Sequence, residues 1–169
     1  CIGCICTNDL SVDSSGYPTS YKGSAYTSPA DGKPFGDVFN VDYVTHEIGH
    51  QLGATHTFSH QLESYGSNIE PGSGSTLMGY AGITSADVQK NTDPYFHGFS
   101  ISQIQNNLIA KTCDVETAIA NSPPVISAMP DYTVPRSTAF VLTANATDAE
   151  NDPLTYTWEQ VDDAASPII

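Results

Sequence analysis

The chain has 169 residues, and 19 acidic side chains stand against 5 basic ones, for a formal net charge of −14. The cations Lys22, Lys33, Lys90, Lys111 and Arg136 are scattered, which argues against nucleic acid and against electrostatic attachment to an anionic membrane as partners. No run reaches the ~20 apolar residues of a membrane helix, so no membrane insertion is expected, and the wealth of Ser, Thr, Asn and Gly suits an exported protein.

The chain opens on CIGCIC, short and apolar, which reads as a buried strand. Residue 1 is Cys rather than Met, so a processed or excised piece is expected. Three of the four cysteines (Cys1, Cys4 and Cys6) crowd this stretch, and Cys113 lies far downstream. Without a second CxxC pair, disulfides suit them better than metal ligation. Their pairing stays open. One option, Cys6 with Cys113, would tie the early strand to a later helix end, and an odd thiol is also considered.

SYKGSAYTS reads as a second strand, with Gly23–Thr27 as a candidate edge for pairing with extended substrate. PADGKPFGD is loop. From Val38 to Leu52 the pattern turns helical, because Val41, Val44, Ile48 and Leu52 recur every three or four residues and make one apolar stripe. Asp37 or Asn40 could cap the start of this helix. Gly53 stands where a left-handed turn would end it.

Residues 59–82 are Gly/Ser-rich loop. A second helix is predicted from about Ser100 to Lys111, with Ile101, Ile104, Leu108 and Ile109 as its stripe. Ser100 and Gln103 have capping-box spacing, and Lys111 suits the negative end. Asn121–Pro124 reads as a linker. Beyond it, alternating runs such as AFVLTANAT and LTYTWEQV, broken by DAENDP, look like the opening of a β-sandwich.

The expected class is therefore α+β, with one domain over 1–120 and a linker plus partial sandwich over 121–169. Asp148, Glu150 and Asp152 are candidates for calcium, although a solvated hairpin turn explains the same spacing. His60 and His97 lack convergent spacing and read as surface or supporting residues.

The chemistry concentrates in HEIGHQLGATH, residues 46–56. His46 and His50 lie one helical turn apart on one face, so two imidazole nitrogens can meet one zinc ion. Gly53 breaks the helix, and His56 can return as a third ligand. Three neutral histidines leave one position open to a water molecule, and Glu47 beside them can take its proton as general base. A lone HExxH is weak; the full H-E-x-x-H-x-x-G-x-x-H is specific, because the glycine and third histidine are stereochemically required.

These residues resemble the metzincin metallopeptidases. Within that group DYVTHEIGHQLGATHTF, EPGSGSTLMGYAG and NTDPYFHGFSISQI look like the reprolysin-like (adamalysin-related) peptidases of secreted bacterial proteins. The resemblance implies a metzincin fold of zinc helix, Met-turn and C-terminal helix, with zinc as cofactor. It implies Met78 in the Met-turn under the imidazoles and Tyr80 as an oxyanion stabiliser, with a structural tyrosine lining the specificity pocket as the equal alternative for Tyr80. It also implies a protein or peptide substrate, a secreted or cell-surface location, and a following immunoglobulin- or fibronectin-like module. Only 45 residues precede His46, so most of the upper subdomain of such a fold is expected to be missing.

The functional expectation is a zinc endopeptidase acting on extracellular proteins, with Glu47 as base. A pappalysin-like enzyme is the nearest alternative, suggested by HTF after the motif. A non-catalytic adhesion or binding module is the alternative from another class. No oligomeric state is readable.

Overall fold

The computed structural model describes residues 2–6, 14–15, 25–29 and 32–168. It is a small α+β structure in two compact units: Cys1–Asp114 with Glu159–Ile169, and Val115–Trp158.

In the first unit a π-helical segment, Phe39–Thr45, runs directly into helix α1, His46–Leu52. Thr45 Oγ1 donates to the Asn40 carbonyl at 2.7 Å, five residues back. Asp42 accepts from the Thr92 N–H at 3.2 Å, tying the segment to a distant loop. Neither Asp37 nor Asn40 caps it: the segment begins at Val38 without a side-chain cap.

The winding corrects the expected stripe. A 3.6-residue phase does not carry through a π-helical stretch, and Val41, Val44 and Leu52 are only half-buried, with Ile48 46 % exposed. The buried positions of α1 are His46 and Gly49.

Gly53 ends α1 at φ 116°, a conformation that favours glycine. The last carbonyls of α1 are accounted for in full. Gly49 O accepts from the Gly53 and Ala54 N–H groups, His50 O from Gly53 and Gly3, Gln51 O from Ile5, and Leu52 O from Asn107 Nδ2. The N-terminal segment therefore forms no strand over residues 2–6. Its N–H groups find their acceptors on a helix end instead.

A disulfide joins Cys6 to Cys113 with the Cα atoms 5.5 Å apart. Cys4 is buried and is itself disulfide-bonded rather than an odd thiol. Ala25–Thr27 carry no strand, and Gly23 lies outside the described residues.

Helix α2 spans Gly98–Leu108. Its cap is His97, whose Nδ1 accepts from the Phe99 N–H at 3.1 Å, and not Ser100. Ser100 is wholly buried, and Gln103 Nε2 bonds Thr55 Oγ1 at 2.9 Å. Lys111 donates to Gly3 O at 3.0 Å.

Between the helices, residues 57–60 run beside 69–72 with a bridge from Phe58 to Glu70. The buried apolar residues are Ala54, Phe58, Ile69, Leu77, Met78 and Ala81, with Cys4 in the N-terminal segment. The second unit holds two short antiparallel strands, β1 (Val125–Ile126) and β2 (Ala146–Thr147), with Val125 opposite Thr147.

Candidate metal centre

Helix α1 presents His46 and His50 one turn apart, and the left-handed Gly53 turns the chain so that His56 comes back beside them. The ring centroids of His46 lie 4.7 Å from His50 and 5.2 Å from His56. One ligand nitrogen from each residue falls within 4.8 Å of the others.

Each ring is held from behind. His46 Nδ1 bonds Leu77 O at 2.7 Å, His50 Nδ1 bonds Ala54 O at 2.8 Å, and His56 Nδ1 meets Glu63 Oε2 at 2.7 Å. A carbonyl oxygen only accepts, so the Nδ1 atoms of His46 and His50 carry the protons. In the neutral rings the Nε2 lone pairs are then left to face inward. His50 Nε2 and His56 Nε2 are 3.1 Å apart. With both rings neutral, that approach needs a proton or a cation between them. Two nitrogens on one tetrahedral zinc ion sit about 3.3 Å apart, given bonds near 2.0–2.1 Å. The donor set fits zinc in chemistry and in span.

Burial pushes the His46 imidazole down to about 3, with the charge of His50 adding to the effect and the Leu77 carbonyl opposing it. Burial also lowers His50. Neutral imidazole is the form a metal requires. The sign for folding follows directly. The unfolded ring titrates near 6.5 and the folded one near 3, so between these values the unfolded chain binds a proton that the metal-free fold does not. Stability present above pH 6.5 is lost as the pH falls through that window. The metal-stripped protein should therefore show a falling thermal midpoint from pH 6.5 toward 3, read by calorimetry. A flat profile would show that His46 is charged within the fold.

Glu47, on the turn that carries His46, lines a cleft of about 770 Å³ together with His46, Tyr43, Tyr80 and Phe39. The Tyr80 ring stands 4.6 Å from His56 and 5.7 Å from His46. Burial, followed by the charges of Glu63 and Glu47, raises its phenol, so it stays protonated and able to donate.

Met78 is fully buried. A Cβ placed on Gly49 would come within 2.5 Å of its sulfur and 2.8 Å of Phe96 Cε1, so glycine between the two helix histidines is what lets Met78 pack against α1. A turn closed by the Gly79 N–H on Thr76 O at 2.8 Å sets Leu77 O against His46 and Met78 beneath the helix.

His60 and His97 stay out of the cluster. The His60 ring packs against Phe58 with centroids 4.7 Å apart, and His97 caps α2. Asp148 Oδ1 accepts the N–H groups of Glu150 and Asp152 at 3.0 and 2.9 Å, and so shapes its own turn. Among the described residues, the three histidines are the group that converges with metal-ligand geometry.

Two acidic residues that support the site's surroundings escaped the sequence reading. Glu63 holds His56. Glu70 is a buried carboxylate that accepts from Thr57 Oγ1, from Thr76 Oγ1 at 2.6 Å, and from the Ser75 and Thr76 N–H groups at 3.0 and 3.1 Å. The available signal was compositional: they are the two acids in the otherwise uncharged stretch 57–80, apart from His60.

A family model described as metallo-peptidase family M12B, reprolysin-like, matches residues 3–108. Comparisons with curated proteins and with solved structures return no match. The family match spans more than half of the chain and covers all three histidines together with Glu47, Met78 and Tyr80. On that match and that geometry, the chain belongs to the reprolysin-like metallo-peptidases of family M12B.

Proposed function

We propose that this chain is a zinc endopeptidase that hydrolyses peptide bonds of extracellular proteins. The observation that carries this reading is the convergence of one ligand nitrogen each from His46, His50 and His56 beside a cleft that Glu47 and Tyr80 share.

His46, His50 and His56 would hold the ion, and their Nδ1 partners keep the rings aimed. Bound zinc supplies Lewis acidity toward a peptide carbonyl and acidifies water. Glu47 takes the proton of the attacking water and delivers it to the leaving amine. Tyr80 donates its phenol hydrogen to the carbonyl oxygen as negative charge develops there. Met78, in the role of a Met-turn residue, supports α1 from below. The Cys6–Cys113 disulfide supports a secreted or cell-surface setting. The family resemblance carries the bacterial origin and the reading of residues 121–169 as the start of an immunoglobulin- or fibronectin-like module.

The test is metal content by mass spectrometry of the purified chain, paired with casein cleavage before and after chelation and zinc return. One zinc per chain, with cleavage lost on chelation and restored by zinc, is the expected result. One zinc without cleavage under any condition would leave a binding module and overturn the enzymatic reading. Absence of zinc from the zinc-supplied protein would overturn the site itself.

A further inference from the structure

The three ring supports are not alike. His46 and His50 give their Nδ1 protons to neutral backbone carbonyls, whereas His56 faces the carboxylate of Glu63 at 2.7 Å. His56 is also the one member of the cluster outside α1, on the segment that follows the Gly53 turn.

Glu63 is pre-placed by a closed loop. Its N–H donates to Asn68 Oδ1 at 3.0 Å, Asn68 Nδ2 returns a bond to Glu63 O at 3.0 Å, and the Gly66 N–H donates to Glu63 O at 3.1 Å. Asn68 is buried and holds φ 49°, a conformation asparagine tolerates better than most residues. The same loop reaches back to the segment that carries His56. The Ser67 N–H donates to His56 O at 2.7 Å, and Ser67 Oγ pairs with Thr55 Oγ1 at 2.8 Å. Backbone and ring of His56 are thus gripped by one loop, and Glu63 is the member that touches the imidazole.

We propose that Glu63 is a positioning residue for zinc, fixing the His56 tautomer and strengthening its Nε2 as a donor through its negative charge. The inference rests on the zinc reading above. A carboxylate behind a ligating imidazole raises ligand basicity, and removing such a partner typically costs 10–100-fold in metal affinity. Because His56 alone lacks the support of α1, this carboxylate takes the place that helix packing fills for His46 and His50.

The experiment is zinc affinity by chelator competition on the full chain as wild type, Glu63→Gln and Glu63→Asp, alongside the metal-free thermal midpoint and the visible absorption of the cobalt-loaded forms. Glu63→Gln keeps size and an acceptor oxygen but removes the charge. It should weaken zinc binding roughly 10–100-fold, shift the cobalt bands and leave the metal-free midpoint unchanged, with Glu63→Asp recovering part of the affinity. Wild-type affinity in Glu63→Gln overturns the proposal. So does a loss of affinity matched by a lower metal-free midpoint, which would make Glu63 a loop prop. A wild-type chain that takes up neither metal overturns the zinc reading and this inference with it, and that outcome is distinct from a change confined to the variant.

Discussion

Glu47→Gln is expected to lower the rate of peptide hydrolysis by about 10²–10⁴-fold while leaving one zinc per chain. The side chain follows His46 on α1 and lines the cleft beside Tyr80 without joining the nitrogen cluster. Its removal therefore takes away proton transfer and not metal retention. A positioned general base contributes about 10²–10⁴-fold to rate, and kcat should fall by that factor with the metal content unchanged. Tyr80→Phe should give a smaller loss, because it removes one donor to the developing oxyanion while the base remains. If Glu47→Gln cleaved casein at the wild-type rate, the proton would have to travel by another group, and the mechanism proposed for this cleft would fail.

Glu70→Ala is the largest expected stability effect. Glu70 is only 7 % exposed, and four donors end on its two oxygens. Alanine strands two hydroxyls and two backbone N–H groups where water has little access. Leaving buried donors unsatisfied costs about 1–3 kcal/mol per group where no relaxation helps. Rotation of the two threonines relieves part of that, so a net loss of about 3 kcal/mol is expected. For a unit of this size the thermal midpoint should drop by roughly 10 °C. The loss should reach the metal site, because the loop that Glu70 pins carries Leu77, whose carbonyl holds His46, and Met78 beneath Gly49. Zinc uptake should weaken together with the midpoint, in contrast to Glu63→Gln. A midpoint within a degree or two of wild type would show that water replaces the carboxylate and that the pocket is not sealed.

These two acids mark the boundary of what could be read from the chain. The place of Glu47 beside the histidines was legible because it depends on spacing within a single helix turn. Glu70 was not, because its partners come from loop segments whose path no local periodicity sets. The same contrast separates the helix caps. Gly53 announced itself, since a left-handed turn selects glycine wherever it occurs. The cap of α2 did not, since Ser100 and Gln103 match a capping box in sequence, yet the preceding His97 turns its own ring nitrogen onto the first turn. Ser100 is buried, and Gln103 is engaged by Thr55.

The sequence alone determined the donor set: His46, His50 and His56 at spacings that one helix turn and one glycine reversal convert into convergence, with Glu47 alongside. It also determined an α+β class with two helices, of which α2 came within a few residues of its observed span. Tertiary structure alone decided which side of α1 is buried, because the π-helical lead-in breaks the 3.6-residue phase and Gly49 admits Met78 closely. It alone decided that residues 2–6 serve the end of α1 instead of forming a strand, and that Glu63 and Glu70 stand behind the site. Periodicity and ligand spacing act over a few bonds of chain. The partner of a buried carboxylate is chosen by how loops close in space, and no short stretch of sequence records that.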